Sequence, residues 1–226
     1  AYVLLSACPT LSPVGLASFG EGSLPSGNFA SRILGARGGC WLYMFGWAFQ
    51  YGASAIWHMW PWIKREHEIL ANHADHVGIF LMIACSYMVP CGVALPQTGH
   101  LLASGLWTVA LIGSLNTCGY LGARGGRTGL AGLYVFMGSL FLLSVREINE
   151  TYTTEEKQWG LASLAQYFLS ACIYVTKRPD PWPRHFGCHE CFHVFVCAGS
   201  ACSFMSHLRL IQRVAVITAA SPSAAA

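Results

Sequence analysis

The chain has 226 residues, more than half of them hydrophobic, with 10% charged and a formal net charge of +3. A soluble fold of this size needs a charged outer surface, and no Asp, Glu, Lys or Arg occurs between Asp75 and Arg124. The small positive excess is uninformative by itself, no clustered basic face argues for nucleic acid, and none is expected as a partner.

Apolar segments follow one another along the chain at the length a bilayer demands. A hydrocarbon core of about 30 Å takes roughly 20 residues per helix. Residues 1–19 are apolar but interrupted by Pro9 and Pro13, so a first helix there is expected to be kinked or partly unwound. No Lys or Arg precedes Arg32, which speaks against a cleaved signal peptide. A Gly/Ser-rich loop from Gly20 to Gly39 carries Arg32 and Arg37 to the bilayer surface. Six further spans are predicted over 38–62, 76–95, 101–122, 128–146, 158–176 and 188–210. Trp60-Pro61-Trp62 ends the first of these six, because a proline disfavours helical geometry in the residue before it and tryptophan suits the headgroup layer. Pro179, Pro181 and Pro183 stiffen the approach to the last span. The fold class is thus an all-α integral membrane bundle of seven transmembrane helices. Residues 1–213 form one domain and 214–226 a disordered tail, clearest in composition after Ala219.

With alternating connections, the loops at 63–73, 123–127 and 177–187 share a side and carry Lys64, Arg65, Arg124, Arg127, Lys177, Arg178 and Arg184. The opposite side carries Arg32, Arg37, Arg146, Lys157, Arg209 and Arg213, together with the acidic run Glu147, Glu150, Glu155 and Glu156. The first side is expected to be cytoplasmic.

Chemistry concentrates on that side. His189 and His193 lie four residues apart in His-Glu-Cys-Phe-His and so share one helical face. His58 supplies a third imidazole near the end of its span, Ser54 shares its face, and Asp75 is expected at the start of the next span. All fall at one membrane depth. Three imidazoles with an open fourth position suit zinc, whereas calcium or magnesium wants several oxygen ligands that these apolar helices lack. A zinc-bound water ionises near neutral pH; Asp75 is placed to take its proton and Ser54 to hydrogen-bond the water or a substrate oxygen. An intramembrane Asp costs about 2.5–3.5 kcal/mol to insert and so needs a reason to be there, although capping the next helix is the structural alternative.

Other readings of the same residues are open. His-Glu-x-x-His is also the zinc-protease signature with Glu190 as base, but Val196 and Gly199 stand where its extended form needs Gly and His. Cys188 and Cys191 flank His189 as competing ligands, while the cysteines at 85, 91, 118, 172, 197 and 202 read as small hydrophobes. His67, His73, His76, His100, His185 and His207 are taken as packing or surface residues.

Ser54-Ala-Ile-Trp-His58, then Asp75-His-Val-Gly-Ile-Phe-Leu-Met-Ile-Ala, then Pro179-Asp-Pro-Trp-Pro with Phe186-Gly-Cys-His-Glu-Cys-Phe-His193 together resemble the three signature blocks of the progestin and adipoQ receptor family, which includes the hemolysin III proteins. The resemblance implies a seven-helix membrane protein with zinc near the cytoplasmic end. It implies His58, His189 and His193 as ligands, Asp75 in contact with the zinc-bound water and Ser54 as a polar neighbour. Trp57 departs from the family's usual Tyr, and the block that usually precedes the first helix is missing. The family is similar in its site to alkaline ceramidases, which implies hydrolysis of a ceramide-like lipid amide. Its receptors imply the alternative of a signalling receptor or membrane-homeostasis sensor with a structural zinc and a small lipophilic ligand.

Overall fold

A computed structural model describes residues 35–121 and 126–220. The expected first helix over 1–19, the Gly/Ser-rich loop up to residue 34, and Arg124 lie outside the described residues. All six remaining predicted spans are helical, and no strand occurs among the described residues.

Helix α1 runs Ala36–Met59 and stops where Trp60, preceding Pro61, takes an extended backbone at φ −80°, ψ 133°. Helix α2, Arg65–Ser86, and the short α3, Met88–Val93, form one span broken at Tyr87. Pro90 explains the break, since it has no N–H to donate to the carbonyl four residues back. Helix α4 covers Gly99–Thr117. Helix α5, Gly126–Ser139, passes through a 3-10 turn at Leu140–Ser144 into α6, Val145–Thr151. Helix α7, Thr154–Thr176, opens on a capping box in which Glu156 N–H donates to the Thr153 hydroxyl at 3.3 Å and Thr153 N–H donates to the Glu156 carboxylate at 2.8 Å. It closes at Lys177 in the left-handed region. Helix α8, Cys188–Ala220, has 33 residues and extends roughly 50 Å.

Three stretches, Arg65–Val93, Thr128–Thr151 and Cys188–Ile217, are long and apolar enough by length and composition to cross a membrane. The other long helices, α1, α4 and α7, pack among them, and α1 brings the polar Gln50 and Ser54 into the bundle. Apolar side chains face outward, including Trp41, Phe45, Leu111, Phe136, Leu143, Leu161, Phe168 and Val194. Polar ones turn inward: the Ser163 hydroxyl, buried, donates to the Gly199 carbonyl at 2.8 Å. A soluble bundle has the reverse pattern; a lipid-facing one buries its polar groups where partners satisfy them.

Two apolar clusters set the helix positions. Ala36, Cys40 and Tyr43 of α1 meet Leu210, Ile211, Val214 and Ala215 of α8, with Val89 and Ala94 between. Phe80, Ala84 and Met88 meet Leu102, Leu106 and Ala110 of α4 and Met137 of α5. Because the start of α1 packs on the end of α8, the end of α1 faces the start of α8. That antiparallel register delivers His58 to His189.

Several expected boundaries move: the loop expected to reach Gly39 gives way to helix at Ala36, and two shifts are larger. The span expected to begin at 76 begins at Arg65, so Asp75 lies inside α2 rather than at its start and caps nothing. Arg65, Glu66 and Glu68 hid this turn from an apolar count, yet two carboxylates in a first turn suit the helix dipole. The tail expected from 214 likewise begins later, because α8 continues to Ala220 with Val214 and Ala215 buried. Arg213, which looked like a terminus, bonds both Glu156 carboxylate oxygens at 2.8 and 2.9 Å and so continues the helix alongside α7. Residues 221–226 lie outside the described residues.

At the end of the bundle away from the histidines, buried Glu147 of α6 accepts from Gln97 N–H at 2.7 Å and Thr98 N–H at 3.0 Å, holding the α3–α4 connection. Replacing it with Ala leaves both amides unpaired. Glu147→Ala is expected to lose roughly 1–3 kcal/mol of stability, read as a lower thermal midpoint in detergent, while metal content stays that of the parent.

Candidate metal centre

His58 leaves the last turn of α1, a terminus fixed by the Trp62 indole N–H, which donates to the Trp57 carbonyl at 2.9 Å. His189 and His193 leave the first turns of α8. That end is capped twice: Gly187 N–H donates to Glu190 Oε2 at 2.8 Å, and Cys188 N–H donates to Asp180 Oδ1 at 3.0 Å. Asp180 reaches back from the proline-rich loop, which is closed by reciprocal backbone bonds between Trp182 and Phe186 at 3.0 and 2.8 Å. Asp180→Ala is expected to cost about 1 kcal/mol of helix stability and to weaken metal affinity measurably in competition with a chromophoric chelator.

The three imidazoles converge. Nε2 of His189 lies 3.3 Å from Nε2 of His58 and 3.1 Å from Nε2 of His193. The three ligand atoms lie within 4.8 Å of one another. Tetrahedral zinc with Zn–N bonds near 2.0–2.1 Å separates its nitrogens by roughly 3.3 Å, so both of these separations match such an ion, and the group as a whole, within 4.8 Å, closes on it by side-chain adjustment. His58 and His189 are exposed and His193 half-buried, which leaves the face open for a further ligand.

The structure brings the remaining predicted residues to the same place. Ser54 and Asp75 are both buried, and both line a cavity of about 820 Å³ that also takes in His58, His189 and His193. Gln50 Nε2 donates to Asp75 Oδ1 at 3.4 Å, and His76 Nδ1 stands 3.8 Å from Oδ2 while bonding the Asn72 carbonyl at 2.9 Å. Two of these neighbours were not singled out from sequence. Gln50 sits one helical turn before Ser54, a polar side chain on the face shared by Ser54 and His58, and that spacing was a usable signal. His76, taken as a packing residue, lines the cavity beside Asp75. His207 is buried with its ring edge-on to Tyr43, centroids 4.8 Å apart, and also lines the cavity.

The competing readings fare less well. Glu190 spends its carboxylate on the helix cap, and the third histidine comes from α1 rather than from downstream in α8, unlike the extended protease motif. Cys188 lines the cavity and Cys191 is buried, but neither sulfur joins the convergent group.

Residues 29–204 match the sequence model of the family described as Haemolysin-III related. The chain belongs to that family. Heptahelical transmembrane protein 3 of Arabidopsis thaliana is 25% identical over 184 residues, covering 75% of this chain and 52% of the plant protein. The present haemolysin-III-related chain therefore spans about half the length of this relative. The match contains α1 through the first half of α8, and so all of Ser54, His58, Asp75, His189 and His193. Membership and helix content agree with a membrane protein in which three histidines converge.

Proposed function

We propose that this protein is a zinc-dependent lipid hydrolase acting on ceramide-like amides, with the site near the cytoplasmic face. The observation that carries this reading is a three-histidine group opening onto a cavity that also contains a buried carboxylate, Asp75. The cavity volume lies in the usual range for small-molecule sites, about 300–1,000 Å³. Its walls are mostly apolar, as a lipid chain requires. They include Val135 of α5 with Leu161 and Phe168 of α7, which are also exposed on the outer surface, so a lipid has a lateral route from the bilayer. The cytoplasmic assignment draws on the expected seven basic residues of the histidine side against six, with four glutamates, on the other.

His58, His189 and His193 would hold the zinc. When bound, it supplies Lewis acidity and makes water a better nucleophile at neutral pH. Asp75 is the base: its Oδ2, the oxygen not bonded to Gln50, takes a proton as the water oxygen forms its bond to the amide carbon. The same proton passes to the departing nitrogen as the C–N bond breaks, giving a fatty acid and an amine and returning Asp75 to its ionised form. The Ser54 hydroxyl, a turn before His58, is within the same lining to hydrogen-bond the carbonyl oxygen. Burial of Asp75 and Ser54 among the apolar walls strengthens their polar contacts.

The test is fatty-acid release from an N-acyl sphingoid base in mixed micelles with the detergent-purified protein, followed by mass spectrometry. Release that a chelator stops and added zinc restores is the expected result. Stoichiometric zinc without any release would contradict hydrolysis. It would favour the second reading, a receptor or homeostasis sensor in which zinc is structural; that reading draws on the way His58 and His189 tie α1 to α8 across 131 residues of sequence.

A further inference from the structure

Where α1 crosses α2, the chain carries a combination that packing alone disfavours. Gln50 is buried in an apolar helix, and its carbonyl oxygen Oε1 has no hydrogen-bond partner. A buried acceptor without a partner costs stability that Leu or Met at this position would not lose. The helix opposite gives way to the same group: at Gly78 a Cβ atom would meet Gln50 Oε1 at 2.2 Å and Gln50 Cα at 3.2 Å. Glycine inside a helix is a further cost. Both costs serve one contact. With the carboxamide seated over Gly78, one turn after Asp75, Nε2 reaches Asp75 Oδ1 at 3.4 Å.

The geometry points to Gln50, seated by Gly78, as a positioning residue that fixes the Asp75 carboxylate in the cavity it shares with the three histidines. A carboxylate has two equivalent oxygens and turns freely about its last bond. Occupying Oδ1 with a donor leaves Oδ2 for the proton that moves in the reaction, and sets its direction. His76 cannot replace this donor, because its Nδ1 is 2.9 Å from the Asn72 carbonyl and 3.8 Å from Asp75. The assignment rests on the hydrolase reading for its consequence in turnover, but the orientation of Asp75 toward the metal site has a readout of its own.

The experiment replaces zinc with cobalt in the full chain and follows the visible spectrum against pH, in parallel with amide turnover and thermal unfolding. The variants are Gln50→Met, similar in length without a donor, and Gly78→Ala, which leaves Gln50 intact but displaces its carboxamide; Asp75→Asn is the reference. Gln50→Met is expected to move the spectral midpoint in the same direction as Asp75→Asn and to lower kcat roughly tenfold with KM little changed. Its thermal midpoint should equal or exceed the parent's, because the unpartnered carbonyl is gone. A purely structural glutamine would instead lower the thermal midpoint and leave the spectrum alone. Gly78→Ala should reproduce the spectral shift. If Asp75→Asn moves the midpoint and Gln50→Met does not, the assignment is wrong. A cobalt-loaded parent without amide turnover overturns only the hydrolase reading, and the spectral comparison still decides Gln50. A parent that takes up no cobalt overturns both.

Discussion

His58→Ala is expected to abolish stoichiometric zinc binding while the bundle stays folded, and His189→Ala/His193→Ala is expected to do the same from the other end of the sequence. The reasoning is geometric. Nε2 atoms 3.1 and 3.3 Å apart sit at the spacing of ligands around one tetrahedral ion, and without a cation each can be bridged only by a shared proton. Two imidazoles from α8 with one from α1 leave a fourth position open; removing any of them leaves too few ligands to compete with water and buffer. The helices themselves are held elsewhere. Tyr43, Leu210 and Ile211 pack at the far end of the α1–α8 contact, and Phe80 with Leu106 holds α2 to α4. Loss of metal should therefore appear as a lower thermal midpoint that no longer responds to added zinc, since an ion stabilises only the state that binds it. Metal analysis after gel filtration, beside unfolding curves with and without zinc, checks both parts.

Asp75→Asn is expected to keep zinc and lose turnover, by roughly a hundredfold to ten-thousandfold in kcat, the usual share of a positioned base. Asn is nearly isosteric and still accepts a hydrogen bond from Gln50, so the bundle should unfold at a midpoint close to the parent's. The neutral side chain cannot take the proton of the attacking water. Burial supports the functional assignment. A carboxylate in the middle of α2, inside apolar helices, is costly to place in a membrane and caps no helix. Turnover measured at saturating lipid, with zinc content determined on the same sample, separates this result from simple metal loss. An Asp75→Asn variant with full turnover would remove Asp75 from the mechanism.

Much of this was readable before any coordinates, for reasons that differ from element to element. Apolar segments show as spans because the hydrocarbon thickness fixes their length, and the uncharged run after Asp75 had no soluble explanation. His189 and His193 showed as a pair because a helix puts i and i+4 on one face. The convergence of His58 on them followed from counting spans. The first turns of α2 did not show, because Arg65, Glu66 and Glu68 read as loop when only apolar residues are counted. Neither did the continuation of α8, where Arg213 is neutralised by Glu156 across 57 residues of sequence. The contacts around Asp75 were only half legible: the spacing of Gln50 with Ser54 and His58 marks a shared face of α1, but which group on α2 it meets is set only where the helices cross at Gly78. Asp180 is similar. A cap supplied from eight residues away has no local signature, unlike the Thr153 and Glu156 box three residues apart.

The central claim is one ion held by three imidazoles from two ends of the chain, and zinc K-edge X-ray absorption on the detergent-purified protein tests it most directly. The account predicts stoichiometric zinc with nitrogen and oxygen neighbours only, at about 2.0–2.1 Å, and an imidazole scattering pattern that weakens in His58→Ala. A sulfur shell near 2.3 Å would place Cys188 or Cys191 on the metal, and an absence of zinc from the folded parent would leave the three histidines without the ion on which the mechanism depends; either result contradicts the account.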